Sequence, residues 1–251
     1  MRLFGCVCGQ FHTDASSFGM RTTGRVQAPV PFYVIEHPDG LTLFDCGLHA
    51  NAGDPDDDYR LRLQAAGQDV TSDASETVTA HLERLDIDPG DIRYVVASHL
   101  HFDHVGGLHQ IPNATLVVQR REWEAGHDRD VAGRYFLPRR YFDLGHQVKL
   151  VDGEHDLFGD GSVVCTPSYG HTPGHQSLRV RGPAGDHMLV SDACYHAGVV
   201  ETRMFPEFSD HAAMNASLDA LLALRGPETV MVFGHDPGQW GEGAVLPSLR
   251  A

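Results

Sequence analysis

The chain has few basic residues and no long apolar run. Its 251 residues include 19 lysines and arginines against 34 aspartates and glutamates, which gives a formal net charge of −15. An acidic protein repels phosphate backbones and anionic lipids, so a nucleic-acid partner and an acidic membrane surface are both disfavoured. No segment approaches the roughly 18 consecutive apolar residues that a membrane span needs, so no span is expected.

The cysteines are too few and too irregularly placed to predict a disulfide framework. There are five, and none forms a C-x-x-C pair. Four of them lie in apolar, strand-like segments and are expected to be small core residues. A metal-binding pair remains an alternative for Cys6 and Cys8. The N-terminal segment becomes polar within a few residues, unlike a secretory signal, so we expect a reducing, cytoplasmic location.

Short apolar runs predict a chain built mainly of strands with a few helices. The runs are rich in Val, Ile, Phe and Tyr, are bounded by turn residues, and span residues 30–35, 41–45, 92–97, 114–118, 162–165, 178–180, 188–190 and 229–233. Helical periodicity predicts helices over 77–85, over 122–131 and over 212–224, the last with Asp210 as its N-cap. The polar segment 48–75 predicts a long loop containing a short helix. This order favours an α/β fold in which two sheets pack face to face with helices outside, and a single domain over 1–251.

The segment 99–104 concentrates metal-binding side chains in the pattern H-x-H-x-D-H. It contains His99, His101, Asp103 and His104, and imidazole and carboxylate groups bind zinc and similar divalent ions. In extended backbone His99 and His101 point the same way, because side chains alternate with period two. Asp103 and His104 are adjacent and need a turn to face a second ion. The spacing therefore favours two ions over one.

Three further candidates follow later apolar runs. His171, Asp192 and His235 each come just after a predicted strand. Loops at strand ends are where a rigid scaffold presents chemistry. One such residue alone is weak evidence, but their occurrence together with the 99–104 segment predicts a shared metal centre.

These seven residues resemble the dinuclear site of the metallo-β-lactamase superfamily. The similarity covers nearly the whole chain, and within the superfamily it most resembles the N-acyl homoserine lactonases that quench bacterial quorum sensing. Three features carry the narrower match: S-H-L-H-F-D-H over 98–104, G-H-T-P-G-H-Q-S over 170–177, and Tyr195 three residues after Asp192. The resemblance implies an αββα sandwich of two mixed β-sheets flanked by helices.

The resemblance also implies a division of the ligands between two ions. One ion is held by His99, His101 and His171, the other by Asp103, His104 and His235, and Asp192 bridges them. The ions are expected to be zinc, with iron, cobalt or manganese as alternatives. Asp45 and His175 are implied to orient the site without binding metal. Ser168 and Tyr169 interrupt the family's usual Thr-Pro-Gly-His run, which keeps His175 as an alternative to His171.

The implied reaction is the opening of a small-molecule lactone by a hydroxide that bridges the two ions. Tyr195 would stabilise the oxyanion, and Asp103 would pass a proton to the departing ring oxygen. A homodimer is also implied as possible. An apolar groove for an acyl chain is expected from the 48–75 loop and from Phe18, Met20, Phe136, Phe205 and Phe208.

Two other readings remain open. One is a thioester or other carboxylic ester hydrolase of the glyoxalase II kind, which binds glutathione through basic residues. The other is a metal-binding protein that is non-catalytic or has a redox role; a non-catalytic protein is disfavoured because all seven ligand positions are filled. Turnover of acyl homoserine lactones that is abolished by chelation would favour the lactonase over both alternatives.

Overall fold

Two β-sheets pack face to face in the computed structural model, which describes residues 1–135, 137–183 and 185–240. The first sheet has the strand order β4-β1-β2-β3-β5-β6-β7. Its strands are β1 (Arg2–Asp14), β2 (Arg25–His37), β3 (Gly40–Phe44), β4 (Val70–Thr71), β5 (Ile92–Val96), β6 (Thr115–Gln119) and β7 (Val148–Val151). The sheet is mixed, because β1 to β3 pair antiparallel while β3, β5, β6 and β7 pair parallel.

The second sheet has the order β12-β11-β10-β9-β8 and is also mixed. Its strands are β8 (His155–Asp156), β9 (Val163–Pro167), β10 (Gln176–Gly182), β11 (Gly185–Ser191) and β12 (Val230–Phe233). Only the β11–β12 pair is parallel among the pairings described for this sheet.

Helices cover the outer faces of both sheets. They are α1 (Asp58–Ala65), α2 (Val78–Arg84), α3 (Phe102–Val105), α4 (Arg120–His127), α5 (Arg129–Tyr135), α6 (Val199–Thr202) and α7 (His211–Leu224). The helices α1 and α2 bury Leu63 and Leu82 against the first sheet, and α7 buries Leu218 and Leu221 against the second. The predicted αββα sandwich of two mixed sheets is therefore confirmed. No helix in the described ranges is long and apolar enough to cross a membrane.

The core between the sheets comes from alternate side chains of their facing strands. Ile35, Phe44 and Val96 of the first sheet meet Leu178 and Leu189 of the second, all fully buried. Burying each such side chain contributes about 1.5–3 kcal/mol to folding. This shared core holds the sheets together and leaves the ends of β3, β5, β9, β11 and β12 free to carry loops.

Every predicted strand and helix is present, with shifted bounds. The predicted helix over 122–131 is two helices, because Asp128 ends α4 and its carboxylate then caps the next turn by accepting from the amide of Asp130 at 2.8 Å. The strands β1, β4, β7 and β8 were not predicted. The single domain over 1–251 stays a prediction, since 241–251 lie outside the described residues.

Candidate metal centre

The 99–104 segment leaves the end of β5 and turns at once into the short helix α3. His99 and His101 lie in the extended part, and Asp103 and His104 lie in the first turn of the helix. This turn supplies the change of direction that the adjacent Asp103 and His104 require. All of these side chains are buried except His101, which is partly exposed.

The other candidates arrive from the second sheet. His171 lies in the loop between β9 and β10, Asp192 follows β11 directly, and His235 follows β12. Each is at most 2% exposed. The two sheets thus contribute ligand-type side chains to one cleft at their common edge.

The structure sorts the seven side chains into two groups. The donor atoms within each group lie within 4.8 Å of one another. The first group is His99, His101, His171 and Asp192, and the second is Asp103, His104 and His235. The five histidines and Asp103 divide as the resemblance implies, and Asp192 falls in the first group.

Asp192 stands between the groups, and each of its carboxylate oxygens faces a different pair of histidines. Its Oδ2 lies 3.1 Å from Nε2 of His171 and 3.7 Å from Nε2 of His99. Its Oδ1 lies 3.0 Å from Nε2 of His235 and 3.5 Å from Nε2 of His104. This is the arrangement that a carboxylate shared by two cations requires.

The histidine rings are fixed through the nitrogens that point away from the centre. Nδ1 of His104 lies 2.8 Å from Oδ2 of Asp45, and Nδ1 of His99 lies 2.9 Å from Oγ of Ser98. Nδ1 of His235 donates to the carbonyl of Pro29 at 2.7 Å. Such partners set the tautomer and the ring orientation of a metal-binding histidine.

The inward-facing atoms fit a divalent cation. Nε2 of His99, Nε2 of His104 and Oδ1 of Asp192 are buried and make no hydrogen bond of acceptable geometry. A buried polar atom without a partner costs about 1–3 kcal/mol, so their convergence needs a compensating ligand. Imidazole nitrogens and carboxylate oxygens are the donors of zinc and similar ions. The residues present therefore fit the implied metal ions.

Electrostatics within the cluster also favour cation binding. Burial lowers the pKa of His99 well below its usual range and that of His101 to about 3, which keeps their lone pairs available. Burial opposes a charge on His104, yet the carboxylates of Asp103 and Asp192 raise its pKa well above the ordinary value. A bound metal ion would replace this proton, since ligands must be deprotonated to coordinate.

His175 lies beside the cluster but outside both groups. Its Nε2 accepts a hydrogen bond from the backbone amide of Asp192 at 3.1 Å, and its Nδ1 lies 2.9 Å from Oγ of Ser168. Burial lowers its pKa well below the ordinary value, so the ring stays neutral. The ring therefore anchors the backbone that presents Asp192.

Asp45 holds the first ligand loop in place. Its carboxylate accepts from the amide of Ser98 at 2.7 Å and from the Ser98 hydroxyl at 2.9 Å, in addition to its contact with His104. Its own φ is +59°, a left-handed conformation that is uncommon outside glycine. Strained backbone of this kind is typical of functional sites.

A cavity of about 450 Å³ opens onto the centre. Asp103, Asp192, Tyr195 and His235 lie in its floor, and its walls include Phe18, Leu63, Gln68, Leu137 and Phe208. Of the residues expected to form the groove, Phe18, Phe208 and part of the 48–75 segment line the cavity. Met20 instead packs on the core of the first sheet, and Phe205 is buried on the outer face of the second sheet. Phe136 lies outside the described residues.

Tyr195 is held at the cavity floor by rings on two sides. Its ring lies 4.8 Å from that of Phe18 and 5.3 Å from that of His235, centroid to centroid. Burial raises the pKa of its phenol well above the ordinary value. The hydroxyl therefore remains a proton donor throughout the neutral range.

The sequence did not single out Glu122, which is fully buried and hydrogen-bonded to both ligand loops. An acidic residue in the first turn of a helix is ordinary capping chemistry, so it carried no functional signal. Ser98 lies in the 98–104 motif and Ser168 in the two-residue insertion, but their contacts with His99 and His175 depend on the fold.

The chain belongs to the metallo-β-lactamase superfamily, whose family model matches residues 26–235. It is a hydrolase of that superfamily with a metal-binding group of His and Asp residues. The match covers every residue of the centre described above.

Two lactonases and a solved lactone hydrolase are similar to this chain over most of its length. The N-acyl homoserine lactonase AttM of Azorhizobium caulinodans is 34% identical over 228 residues, which are 85% of this chain and 84% of the relative. The N-acyl homoserine lactonase AiiA of Bacillus thuringiensis subsp. kurstaki is 28% identical over 252 residues, which cover 98% of this chain and 97% of the relative. A solved N-acyl homoserine lactone hydrolase, with the product N-hexanoyl-L-homoserine at its catalytic metal centre, superposes with a TM-score of 0.80 at 26% identity, covering 98% of this chain and 97% of that one.

Proposed function

We propose that this protein hydrolyses the lactone ring of N-acyl homoserine lactones with two divalent metal ions. The observation that carries the proposal is the position of Asp192, whose two carboxylate oxygens face separate histidine pairs. The lactonase relatives support the choice of substrate. Zinc is the expected metal, and iron, cobalt or manganese would suit the same donors.

The seven residues would hold the ions in the two groups described above. Divalent ions bound there would supply a water of lowered pKa, toward about 7, and would polarise a carbonyl oxygen. His99, His101 and His171 would be the ligands of one ion, and Asp103, His104 and His235 those of the other, with Asp192 shared.

Tyr195 would act on the carbonyl oxygen of the lactone. Its phenol stays protonated and borders the cavity next to Asp192 and His235. A hydrogen bond from this hydroxyl would stabilise the negative charge that develops on the oxygen as the carbonyl carbon becomes tetrahedral.

Asp103 would move the proton that ring opening requires. Its carboxylate borders the cavity, and Oδ2 lies 3.2 Å from Nε2 of His104. The scissile bond joins the carbonyl carbon to the ring oxygen. When this bond breaks, the proton from the attacking water would pass through the Asp103 carboxylate to the ring oxygen. That oxygen would become the hydroxyl group of the acyl homoserine product.

The cavity suits an uncharged acyl lactone better than a glutathione thioester. None of its described lining residues is lysine or arginine, whereas glutathione carries carboxylates that need basic partners. Phe18, Leu63, Leu137 and Phe208 supply apolar surface for an acyl chain. The glyoxalase II reading is therefore the weaker one.

The test is titration of the acid released from acyl homoserine lactones of graded chain length, on protein of measured metal content. Lactone opening that stops on chelation and returns with added metal supports the proposal. Turnover of glutathione thioesters without lactone opening would replace it with the alternative. The homodimer and the cytoplasmic location stay predictions.

A further inference from the structure

Glu122 connects the two loops that carry the ligands of the first group. It lies in the first turn of α4 and is 0% exposed. Its Oε1 accepts from the amide of Leu100 at 3.0 Å, between His99 and His101. Its Oε2 accepts from the hydroxyl of Thr172 and from the amide of Gly174, both at 2.8 Å.

The helix α4 packs closely against the two loops at the same place. A Cβ added to Gly174 would lie 2.2 Å from the amide nitrogen of Glu122, and one added to Gly126 would lie 2.9 Å from Cδ1 of Leu100. The helix α4 therefore touches both loops directly, and at Gly174 only glycine permits this approach, because the near atoms belong to the backbone of Glu122. The Glu122 carboxylate fixes the two loops relative to each other at that contact.

The cost of burying this group argues for a role beyond packing. Burial raises the pKa of Glu122 to about 7, although three donors act to lower it. A buried carboxyl group destabilises a fold unless its hydrogen bonds compensate. An apolar side chain would fill the same space at less cost, but it could not hold Leu100, Thr172 and Gly174 together.

The second group has a different anchor. Asp45 contacts Ser98, His104 and Ser191, and none of the side-chain hydrogen bonds between described residues joins it to the 170–175 loop. Glu122 instead joins the His99–His101 segment to the loop of His171. Asp45 thus contacts a ring of the second group directly and reaches His99 of the first group only through Ser98, whereas Glu122 joins the two loops of the first group.

We propose that Glu122 is a positioning residue which sets the separation of His99 and His101 from His171, and so controls the affinity of one of the two ions selectively. This inference rests on the ligand assignment in the proposed function. Residues that orient metal ligands typically change metal affinity by about 10–100-fold when they are replaced.

The variant Glu122→Gln tests this with little change in shape. The amide oxygen can still accept from Leu100, but the amide NH₂ now faces the N–H of Gly174, so one donor loses its acceptor. Glu124→Gln is the matched control, because Glu124 is on the same helix and exposed. Zinc content and the two dissociation constants are measured by competition with a chromophoric chelator, and melting of the metal-free proteins is recorded in parallel.

We expect Glu122→Gln to bind one ion about 10–100-fold more weakly while the other ion and the control are unchanged. Two dissociation constants within twofold of those of the unaltered protein would overturn the inference. Equal weakening of both ions would also overturn it, because that is the result of general destabilisation. If the unaltered protein fails to bind two ions, the proposed function fails instead.

A double variant shows whether the two anchors serve different ions. Asp45→Asn should weaken mainly the ion that Glu122→Gln leaves alone, because the ligand ring that Asp45 contacts directly is that of His104. The combined variant should therefore hold both ions weakly. Retention of one tightly bound ion in the double variant would place both anchors at the same site and contradict the inference. If Glu122→Gln does not fold, Thr172→Val removes one of the same hydrogen bonds and should weaken the same ion.

Discussion

Oγ of Ser168 lies 2.9 Å from Nδ1 of His175. This contact shows how the chain accommodates Ser168 and Tyr169, which separate Pro167 from Gly170 and so interrupt the first of its two Thr-Pro-Gly-His runs. Ser168 is fully buried beneath the centre, and Tyr169 turns away so that its hydroxyl donates to Gln119 at 3.2 Å. Neither residue is among the described residues that line the cavity. The insertion therefore supports the anchor of Asp192 and does not itself line the cavity.

Ser168→Ala should lower stability with little effect on turnover. The hydroxyl also bonds to Ser177 at 2.8 Å, whereas Nδ1 of His175 keeps the Ser168 carbonyl as a second acceptor at 3.1 Å. Loss of such a buried hydrogen bond costs about 1 kcal/mol. Urea unfolding measures the loss, and kcat on a lactone should stay within about threefold. A tenfold fall in kcat with metal retained would mean that the carbonyl does not hold the ring.

Tyr195→Phe should lower kcat by about 10²–10³-fold, because one oxyanion donor is removed. The ring contacts with Phe18 and His235 are kept, so metal content and melting temperature should not change. Steady-state kinetics on protein with verified metal content measures the effect. Near-normal kcat would remove the hydroxyl from the reaction.

Asp192→Asn should disturb both ions at once. The substitution removes one charged oxygen and leaves an amide that can ligate through a single atom, while both histidine pairs lose their shared carboxylate. Metal analysis after gel filtration should give fewer than two ions per chain, and turnover should be lost. Two tightly bound ions in this variant would show that Asp192 is not shared.

Phe208→Ala should weaken the binding of long acyl chains selectively. Phe208 borders the cavity, and its ring lies 5.2 Å from that of His171. Removing an aromatic contact with an apolar chain costs about 1–3 kcal/mol, so KM for a long-chain lactone should rise at least about fivefold. Met204→Ala is the control, since Met204 is exposed and does not border the cavity. An equal rise in KM for short and long chains would show that the acyl chain lies elsewhere.

His49→Asn should make the protein less sensitive to acid. Burial, together with the stacked ring of His109 at 3.9 Å, lowers the pKa of His49 from 6.5 to about 4. Between these values the unfolded chain binds a proton that the folded chain does not, so stability falls as the pH drops from 6.5 to 4. Asparagine can still accept from the amide of Asn51, as His49 does at 3.2 Å, but it does not titrate.

Urea unfolding of both proteins at pH 7.5 and at pH 4.5 checks this prediction. The variant should lose less free energy of unfolding on acidification than the unaltered protein. Equal losses would show that the His49 ring does not contribute to the acid sensitivity. His37→Asn serves as a comparison, because His37 stacks on Phe158 and takes no part in the stack of His49 and His109.

Much of the fold could be predicted because its strands are short apolar runs between turn residues. The strand β1 was missed because its pattern is irregular: its pairing with β2 shifts between Val7 and Gln10, and Gly9 has a φ of +144°. Such a bulge breaks the alternation on which strand prediction depends. The break at Asp128 was missed because only a single cap residue separates the two helices.

The sequence by itself determined which side chains could bind metal and that they fall at strand ends. It also determined the chain's acidic character, and its order of strands and helices favoured two packed sheets. These properties depend on residue type and local spacing, which can be read along the chain.

Only the tertiary structure decided how these side chains are divided and held. The choice of His171 over His175 depends on which part of Asp192 each ring meets: Nε2 of His171 faces the carboxylate, whereas Nε2 of His175 accepts from the backbone amide. The role of Glu122 depends on contacts 22 to 52 residues away along the chain. Hydrogen bonds of this kind form between segments that the packing of two sheets brings together. No local pattern encodes their distance or direction, so they follow from the fold alone.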